Sequence, residues 1–260
     1  MKVIKIPISK GALGKNDGCE KAPDSVVKKF TEEIWCKESE DILPKIEVGN
    51  VETVGDLKKD HETIYKKAKE NGYPAFYIGG DHSITYPLFK AFSENFENPG
   101  LIVFDAHPDV YKEHDFVTHQ DWLFYLVEEG TLKKENIVLV GLRNWDPKEI
   151  EFLKNMKIAY FTAKNIFKNV ENVCDFLMEK ARSFDGFYLS IDIDSIDPAF
   201  APGTGYIEPA GLSSRELLYF VQRLKILKNL FAIDLVEINP DKDINELTIK
   251  LGARILGELI

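Results

Sequence analysis

Gly100-Leu-Ile-Val-Phe-Asp-Ala-His-Pro-Asp109 sets a short apolar run directly against Asp105, His107 and Asp109. The apolar half reads as a strand buried on both faces, and the polar half is what its carboxyl end presents. Similar runs recur outward in both directions, at Lys2–Ile8, Ala75–Ile78, Asn136–Val140, Ile158–Phe161, Phe187–Ile193 and Leu230–Ile238. Helical patterns separate most of them. Asp56–Asn71 aligns Leu57, Ile64 and Ala68 on one face, and Val170–Phe184 aligns Val173, Leu177, Ala181 and Phe184. Ser213 followed by Glu216 is a capping-box pattern that opens another helix, and Ile244–Ile260 is amphipathic to its end. Strand and helix in alternation predict an α/β fold with a mainly parallel central sheet covered by helices. No internal repeat, low-complexity tract or Pro/Gly/Ser-rich linker divides the chain, so residues 1–260 are expected to form a single domain.

Composition narrows the function classes. With 44% apolar and 12% aromatic residues among 260, the chain can bury enough surface to offset its conformational entropy, which excludes disorder. The 33 basic against 43 acidic side chains give a net charge of −10 with no long basic run, which argues against nucleic-acid binding. No apolar run approaches the roughly 20 residues of a membrane span, so no membrane partner is expected. Met1–Lys10 has no apolar core ahead of a cleavage site, and Cys19, Cys36 and Cys174 are widely spaced without a Cys-x-x-Cys pair. A disulfide framework and a thiolate zinc site are excluded, and a reducing, cytoplasmic location is expected.

In open parallel sheets, sites form at the carboxyl ends of strands. Four such ends carry chemistry here: Gly79-Gly-Asp-His-Ser83, Asp105-Ala-His-Pro-Asp109, Asp192-Ile-Asp194 and Glu237. In an extended chain Asp105, His107 and Asp109 face one point, and Asp192 and Asp194 repeat the spacing. Taken singly, these residues have plainer explanations, with Asp81 as a helix cap and Asp192 and Asp194 as turn residues. Taken together, converging buried carboxylates repel and raise one another's pKa unless cations lie between them. Two divalent ions carry +4, which balances Asp105, Asp109, Asp192 and Asp194 and leaves His82 and His107 as neutral ligands. An oxygen-rich set with two nitrogens and no sulfur suits octahedral Mn²⁺ better than tetrahedral Zn²⁺, with Fe, Co and Ni also compatible. His61-Glu62 lacks a second His at Tyr65, Gly14-Lys15 lacks the rest of a phosphate loop, and no Gly-x-Ser-x-Gly elbow occurs. Metal-activated water is the mechanism class that remains.

These motifs, continued by Ser190-Ile-Asp-Ile-Asp-Ser-Ile-Asp-Pro198, Ala201-Pro-Gly-Thr-Gly205, Gly211-Leu-Ser-Ser-Arg-Glu216 and Asp234-Leu-Val-Glu-Ile-Asn-Pro240, resemble the ureohydrolase family of arginase and agmatinase. Lys21-Ala-Pro-Asp24 and Val140-Gly-Leu-Arg143 extend the resemblance, which covers most of the chain. It implies an arginase-like three-layer α/β/α fold with two Mn²⁺ per chain. Asp105 and Asp192 would bridge both ions, His82 and Asp109 would complete one, and His107 and Asp194 the other, with a hydroxide between them that Asp109 orients. Glu237 would grip a planar guanidinium through two charge-assisted hydrogen bonds, and His119 would protonate the departing amine. The implied reaction splits a C–N bond of a small cationic guanidino substrate, releasing urea.

Tyr111 stands where arginase-like members carry Asn to read the amino-acid head group, and it is expected to contact substrate. Together with the 14-residue step from Asp105 to His119, it resembles agmatinase-like members, which form putrescine and urea from agmatine. Pro108, Gln120 and Pro209-Ala210 depart from the family pattern and leave arginine, guanidinobutyrate and formiminoglutamate open, the last releasing formamide. The segment 111–120 is the expected functional loop, His114 is assigned to the surface, Asp81 to ligand support or capping, and Asp197 to a turn before Pro198. A ureohydrolase-like protein that binds without turnover is disfavoured by the intact ligand set, and a single-zinc deacetylase-type hydrolase would be excluded by two metals per chain. Family likeness further implies a homo-oligomer, trimer or hexamer.

Overall fold

The computed structural model describes residues 1–260, and in it all seven expected strands pair, joined by an eighth. They are β1 (Lys2–Ile6), β2 (Glu47–Asn50), β3 (Ala75–Gly79), β4 (Pro99–Phe104), β5 (Ile137–Leu142), β6 (Ala159–Thr162), β7 (Gly186–Asp192) and β8 (Leu230–Val236). Every pairing is parallel, in the order β2-β1-β3-β8-β7-β4-β5-β6, so all carboxyl ends open on one rim. Strands β3, β8, β7 and β4 are adjacent at the centre of the sheet, and these are the strands whose ends carry the acids and histidines.

Helices cover both faces. α1 (Ala22–Glu33), α6 (Ala163–Lys168), α7 (Val170–Arg182), α8 (Ser214–Lys225) and α9 (Leu247–Leu259) bury one apolar cluster against Ile102, Leu189 and Ile233. α2 (Leu57–Asn71), α3 (Thr85–Ser93), α4 (Trp122–Glu128) and α5 (Pro147–Met156) bury the other against Leu101, Tyr188 and Ala232. Side chains of successive strand residues alternate between faces, which is why one apolar run feeds both clusters. α8 opens with the expected box: Ser213 accepts from the Glu216 N–H while Glu216 accepts from the Ser213 N–H. α2 is likewise capped by Asp56. α9 begins at Leu247, where the Asp243 carboxylate takes the N–H groups of Thr248 and Ile249, rather than at Ile244.

The differences from expectation are local. β2 has no apolar run and all its residues are exposed; it exists as an edge strand through its register with β1. β6, at the opposite edge, is half-buried instead of buried on both faces. β1 stops at Ile6 because Pro7 has no N–H to donate, and β8 stops before Glu237, whose φ of +65° leaves the extended region. Gly80 permits the closest approach at the rim: a Cβ there would lie 1.8 Å from the Ile8 carbonyl oxygen.

Candidate binuclear metal centre

Three of the central strands lead into an aspartate that folds the chain back on itself. Asp81 Oδ1 accepts the Ser83 N–H at 3.0 Å, Asp105 Oδ1 the His107 N–H at 2.6 Å, and Asp192 Oδ1 the Asp194 N–H at 2.8 Å. Each is an Asx turn, in which the side chain substitutes for a ladder partner and ends the strand. β7 therefore closes at Asp192, one residue earlier than the expected run, and Ile193–Ser195 coils into a short 3₁₀ turn. Segment 105–109 is a loop rather than extended chain, with Asp109 at φ +54°. Its three polar side chains consequently part into two groups instead of facing one point.

In the first group His82 Nδ1 lies 3.1 Å from Asp105 Oδ2, Asp109 Oδ2 and Asp192 Oδ2 alike. In the second, His107 Nδ1 lies 3.0 Å from Asp194 Oδ2 and 3.5 Å from Asp105 Oδ1. Two triads, His82/Asp105/Asp109 and Asp105/His107/Asp194, have ligand atoms within 4.8 Å of one another, a spacing that suits a metal ion in each. Asp105 belongs to both, one oxygen to each, while Asp192 turns Oδ2 to the first group.

Electrostatics explain why this arrangement suits cations. Burial raises the Asp192 carboxyl well above its usual range, and Asp194 and Asp105 raise it further. Burial and Asp105 push Asp109 up to about 6. Burial alone would lower both imidazoles, but the surrounding carboxylates outweigh it and hold His82 and His107 well above the ordinary histidine value. The cluster as it stands needs protons to offset its charge, and a pair of dications does the same with ligands deprotonated. Buried His82 Nδ1 and Asp105 Oδ2 have no hydrogen-bond partner, which leaves their lone pairs free for a metal ion. Four carboxylates and two imidazoles fit a hard divalent ion.

The outer ends of the ligands are also fixed. His82 Nε2 lies 2.9 Å from Ser190 Oγ, whose hydroxyl donates to Asp234 Oδ1 at 2.6 Å; Asp234 Oδ2 accepts from Thr85 Oγ1 and Tyr188 OH. With its hydroxyl hydrogen so committed, Ser190 accepts from His82 Nε2–H, and Nδ1 keeps its lone pair. Trp122 Nε1 donates to Asp109 Oδ2 at 2.7 Å, and His107 Nε2 faces Glu208 Oε1 at 3.3 Å.

A cavity of about 320 Å³ opens over both groups, walled by Glu237, His119, Tyr111, Glu113, Gln120, Asp146, Glu149 and Tyr206 and by no lysine or arginine. Glu237 Oε1 accepts the His82 N–H at 2.7 Å and Oε2 accepts Asn16 Nδ2 at 2.6 Å. Its carboxyl would rise through burial, but His119 and His82 hold it down. His119 Nδ1 lies 3.4 Å from Glu237 Oε1, and that carboxylate keeps the imidazole above its ordinary pKa despite burial; its Nε2 is buried without a partner. His114 is half-buried, stacked on Phe116 and outside the cavity wall. Asp81 caps the turn at Ser83 and also takes the Gly11 N–H, while Asp197 takes those of Ala199 and Gly211 as a turn residue does.

Sequence reasoning did not single out Asn16, Trp122, Ser190, Tyr206, Glu208, Asp146 or Glu149, nor give Asp234 a role. A serine and an acid inside otherwise apolar strand runs were the available signal for Ser190 and Asp234. Asn16 and Trp122 carry none.

The model of the arginase family matches residues 1–260. The chain belongs to the arginase family. Arginase-family enzymes hydrolyse C–N bonds of small guanidino compounds and depend on a binuclear metal site, and this member has the family's α/β fold. An arginase from Staphylococcus aureus (strain MRSA252) is 33% identical over 224 residues, 79% of this chain and 73% of that one. Formimidoylglutamase from Bacillus subtilis superposes with a TM-score of 0.92 at 23% identity, covering 99% of this chain and 85% of the other. Proclavaminate amidino hydrolase from Streptomyces clavuligerus does so at 0.89 and 25%, covering 99% and 89%. No helix of this arginase-family chain is long and apolar enough to cross a membrane.

Proposed function

We propose that this ureohydrolase hydrolyses agmatine to putrescine and urea at a binuclear manganese centre. The observation that carries the substrate is the cavity wall: Glu237 lies beside the metal groups, Glu113, Asp146 and Glu149 complete the acidic lining, and no lysine or arginine is present. Agmatine is cationic at both ends and matches that wall. Arginine adds a carboxylate for which the wall offers no lysine or arginine, and guanidinobutyrate and formiminoglutamate present carboxylates without an ammonium at that end. Lys148 lies over the Tyr111 ring, 5.8 Å from its centroid, and is not part of the wall. Arginine is the second reading, favoured by the 33% identical relative named arginase.

In this reading His82, Asp105, Asp109 and Asp192 would hold one Mn²⁺, and His107 and Asp194, with Asp105 and Asp192, would hold the other. Bound there, the two ions supply a water nucleophile of lowered pKa and positive charge for the developing anion. Asp109, held by Trp122, would be placed to orient that water. Glu237, fixed by a backbone N–H and an amide, keeps lone pairs for two guanidinium N–H groups, and Tyr111 flanks the alkyl tail. His119 carries a proton, sustained by Glu237, and delivers it from Nε2 to the departing amine. The free thiols Cys19, Cys36 and Cys174 support a cytoplasmic location, and exposed Trp35, Ile42 and Phe167 are apolar surface for the homo-oligomer, trimer or hexamer, that belongs to this reading.

The test is Mn²⁺-loaded protein given agmatine, arginine, guanidinobutyrate or formiminoglutamate separately, with urea, or formamide for the last, as readout. Urea from agmatine at a kcat/KM at least about 100-fold above arginine supports the proposal; equal or better use of arginine refutes the substrate.

A further inference from the structure

Tyr206 occupies a position that the proposed reaction leaves unexplained. Its ring centroid lies 5.4 Å from that of His107, at 65°, and 5.7 Å from that of His119, at 36°. His107 belongs to the metal-holding groups and His119 is the proton donor, so the ring spans the nucleophile side and the leaving-group side. His107, His119, Tyr206 and Glu237 wall the same cavity, the space that the proposed reaction assigns to the scissile carbon.

The side chain is held there from several directions. Gln120, the residue after His119, donates from Nε2 to the Tyr206 hydroxyl at 3.1 Å. On one side of Tyr206, Gly205 packs so closely that a Cβ would lie 2.7 Å from Asn16 Cβ. On the other, the Glu208 carbonyl accepts from Arg143 Nη2 at 2.7 Å and its carboxylate from Asn144 Nδ2 at 2.7 Å. A ring with both flanks anchored and its hydroxyl pinned is a fixed wall rather than a mobile cover.

We propose that Tyr206, pinned by Gln120, is a specificity-determining residue that roofs the guanidinium position and restricts turnover to guanidinium groups bearing a single substituent. The proposal rests on the reaction assigned above. An aromatic ring attracts a flat, weakly hydrated cation, so Tyr206 adds binding for guanidinium that it does not offer to neutral urea. With the ring set between His107 and His119, the alkyl tail would run past Tyr111, and a second alkyl group on another nitrogen would meet the Tyr206 ring. The pair also gives a physical role to Gln120.

Steady-state kinetics on the Mn²⁺-loaded protein test this, with agmatine and its analogue methylated on a nitrogen that does not bear the aminobutyl chain. Tyr206→Ala is expected to raise KM for agmatine about tenfold with kcat within about threefold. The same substitution is expected to lower the agmatine-to-methyl-analogue ratio of kcat/KM at least about tenfold. Tyr206→Leu, which keeps bulk without the π-face, raises KM but holds the ratio; Gln120→Gly relaxes the ratio several-fold. KM and ratio within about twofold of wild type in Tyr206→Ala overturn the proposal. So does a fall in kcat and bound manganese with neither KM nor ratio altered, because that marks a merely structural tyrosine. If wild type prefers another guanidino compound, the same ratio is read on that compound and its methyl analogue. Absence of turnover on every guanidino compound refutes the reaction assignment and this inference with it, whereas turnover with an unchanged ratio refutes the roof alone.

Discussion

Asp234→Asn is expected to weaken manganese binding although it removes no metal ligand. Asp234 is fully buried and accepts three hydrogen bonds, from Ser190 Oγ at 2.6 Å, Thr85 Oγ1 at 2.7 Å and Tyr188 OH at 2.8 Å. An asparagine keeps one acceptor oxygen and presents an NH₂ in place of the other. If the oxygen goes to Thr85 and Tyr188, the NH₂ meets Ser190, whose hydroxyl hydrogen then turns toward His82 Nε2. The His82 proton is thereby displaced to Nδ1, the atom 3.1 Å from three carboxylates, and the lone pair meant for the metal is lost. Partners of this kind contribute roughly 10- to 100-fold to metal affinity, or about 1.4–2.7 kcal/mol. Asparagine in the opposite orientation leaves two hydroxyls without an acceptor, at about 1–3 kcal/mol of stability each. Calorimetric titration of metal-free protein with Mn²⁺ reads the first effect, and urea unfolding of the metal-free protein reads the second. A 10- to 100-fold rise in Kd at one of two sites is expected. Thr85→Val controls for generic damage, since it removes one donor and leaves Ser190 oriented; it should lose stability but stay within about threefold in Kd. An unchanged Kd in Asp234→Asn, or an equal loss in Thr85→Val, would refute the reasoning.

Asn16→Leu removes the 2.6 Å donor to Glu237 Oε2 and frees the carboxylate to swing; KM for agmatine should rise about tenfold with kcat changed less, and steady-state kinetics showing the reverse split would place Asn16 elsewhere in the mechanism. His61 is buried, and burial lowers its pKa from 6.5 to about 4, so the folded state binds this proton more weakly than the unfolded one. Its contribution is intact above pH 6.5 and declines as pH falls toward 4, by about 3 kcal/mol. Metal-free His61→Gln should show that much less loss between pH 7 and pH 4 in urea unfolding; parallel pH profiles for the two proteins would show that His61 does not titrate as described.

The sheet was legible because its central strands are buried on both faces. Runs such as Gly100–Phe104 and Phe187–Ile191 can do little else, and the acids and histidines that follow them had to lie on one rim once the strands were parallel. β2 was not legible, since an exposed edge strand takes its conformation from its neighbour rather than from its own residues. The division of the ligands into two groups came from family likeness, because alternation along an extended chain predicts one group; the Asx turns at Asp105 and Asp192 are what part them. Asn16 meets Glu237 across 221 residues, and Tyr206 meets Gln120 across 86, through the closure of loops over the rim. No periodicity or local motif encodes such meetings. Asp234 is intermediate: an acid in the middle of Leu230–Val236 announces a buried partner, but only the folded chain shows that the partner is Ser190 and, through it, His82.

Counting manganese per chain, in wild type and in Asp105→Ala, tests the central claim most directly. Asp105 offers one oxygen to each group, so wild-type protein dialysed against Mn²⁺ and then against metal-free buffer should retain two ions per chain and release urea from agmatine. Asp105→Ala, folded by circular dichroism, should retain fewer than one and release none. A wild type that holds a single ion, or an Asp105→Ala protein that keeps two and full turnover, would contradict a binuclear centre built on Asp105.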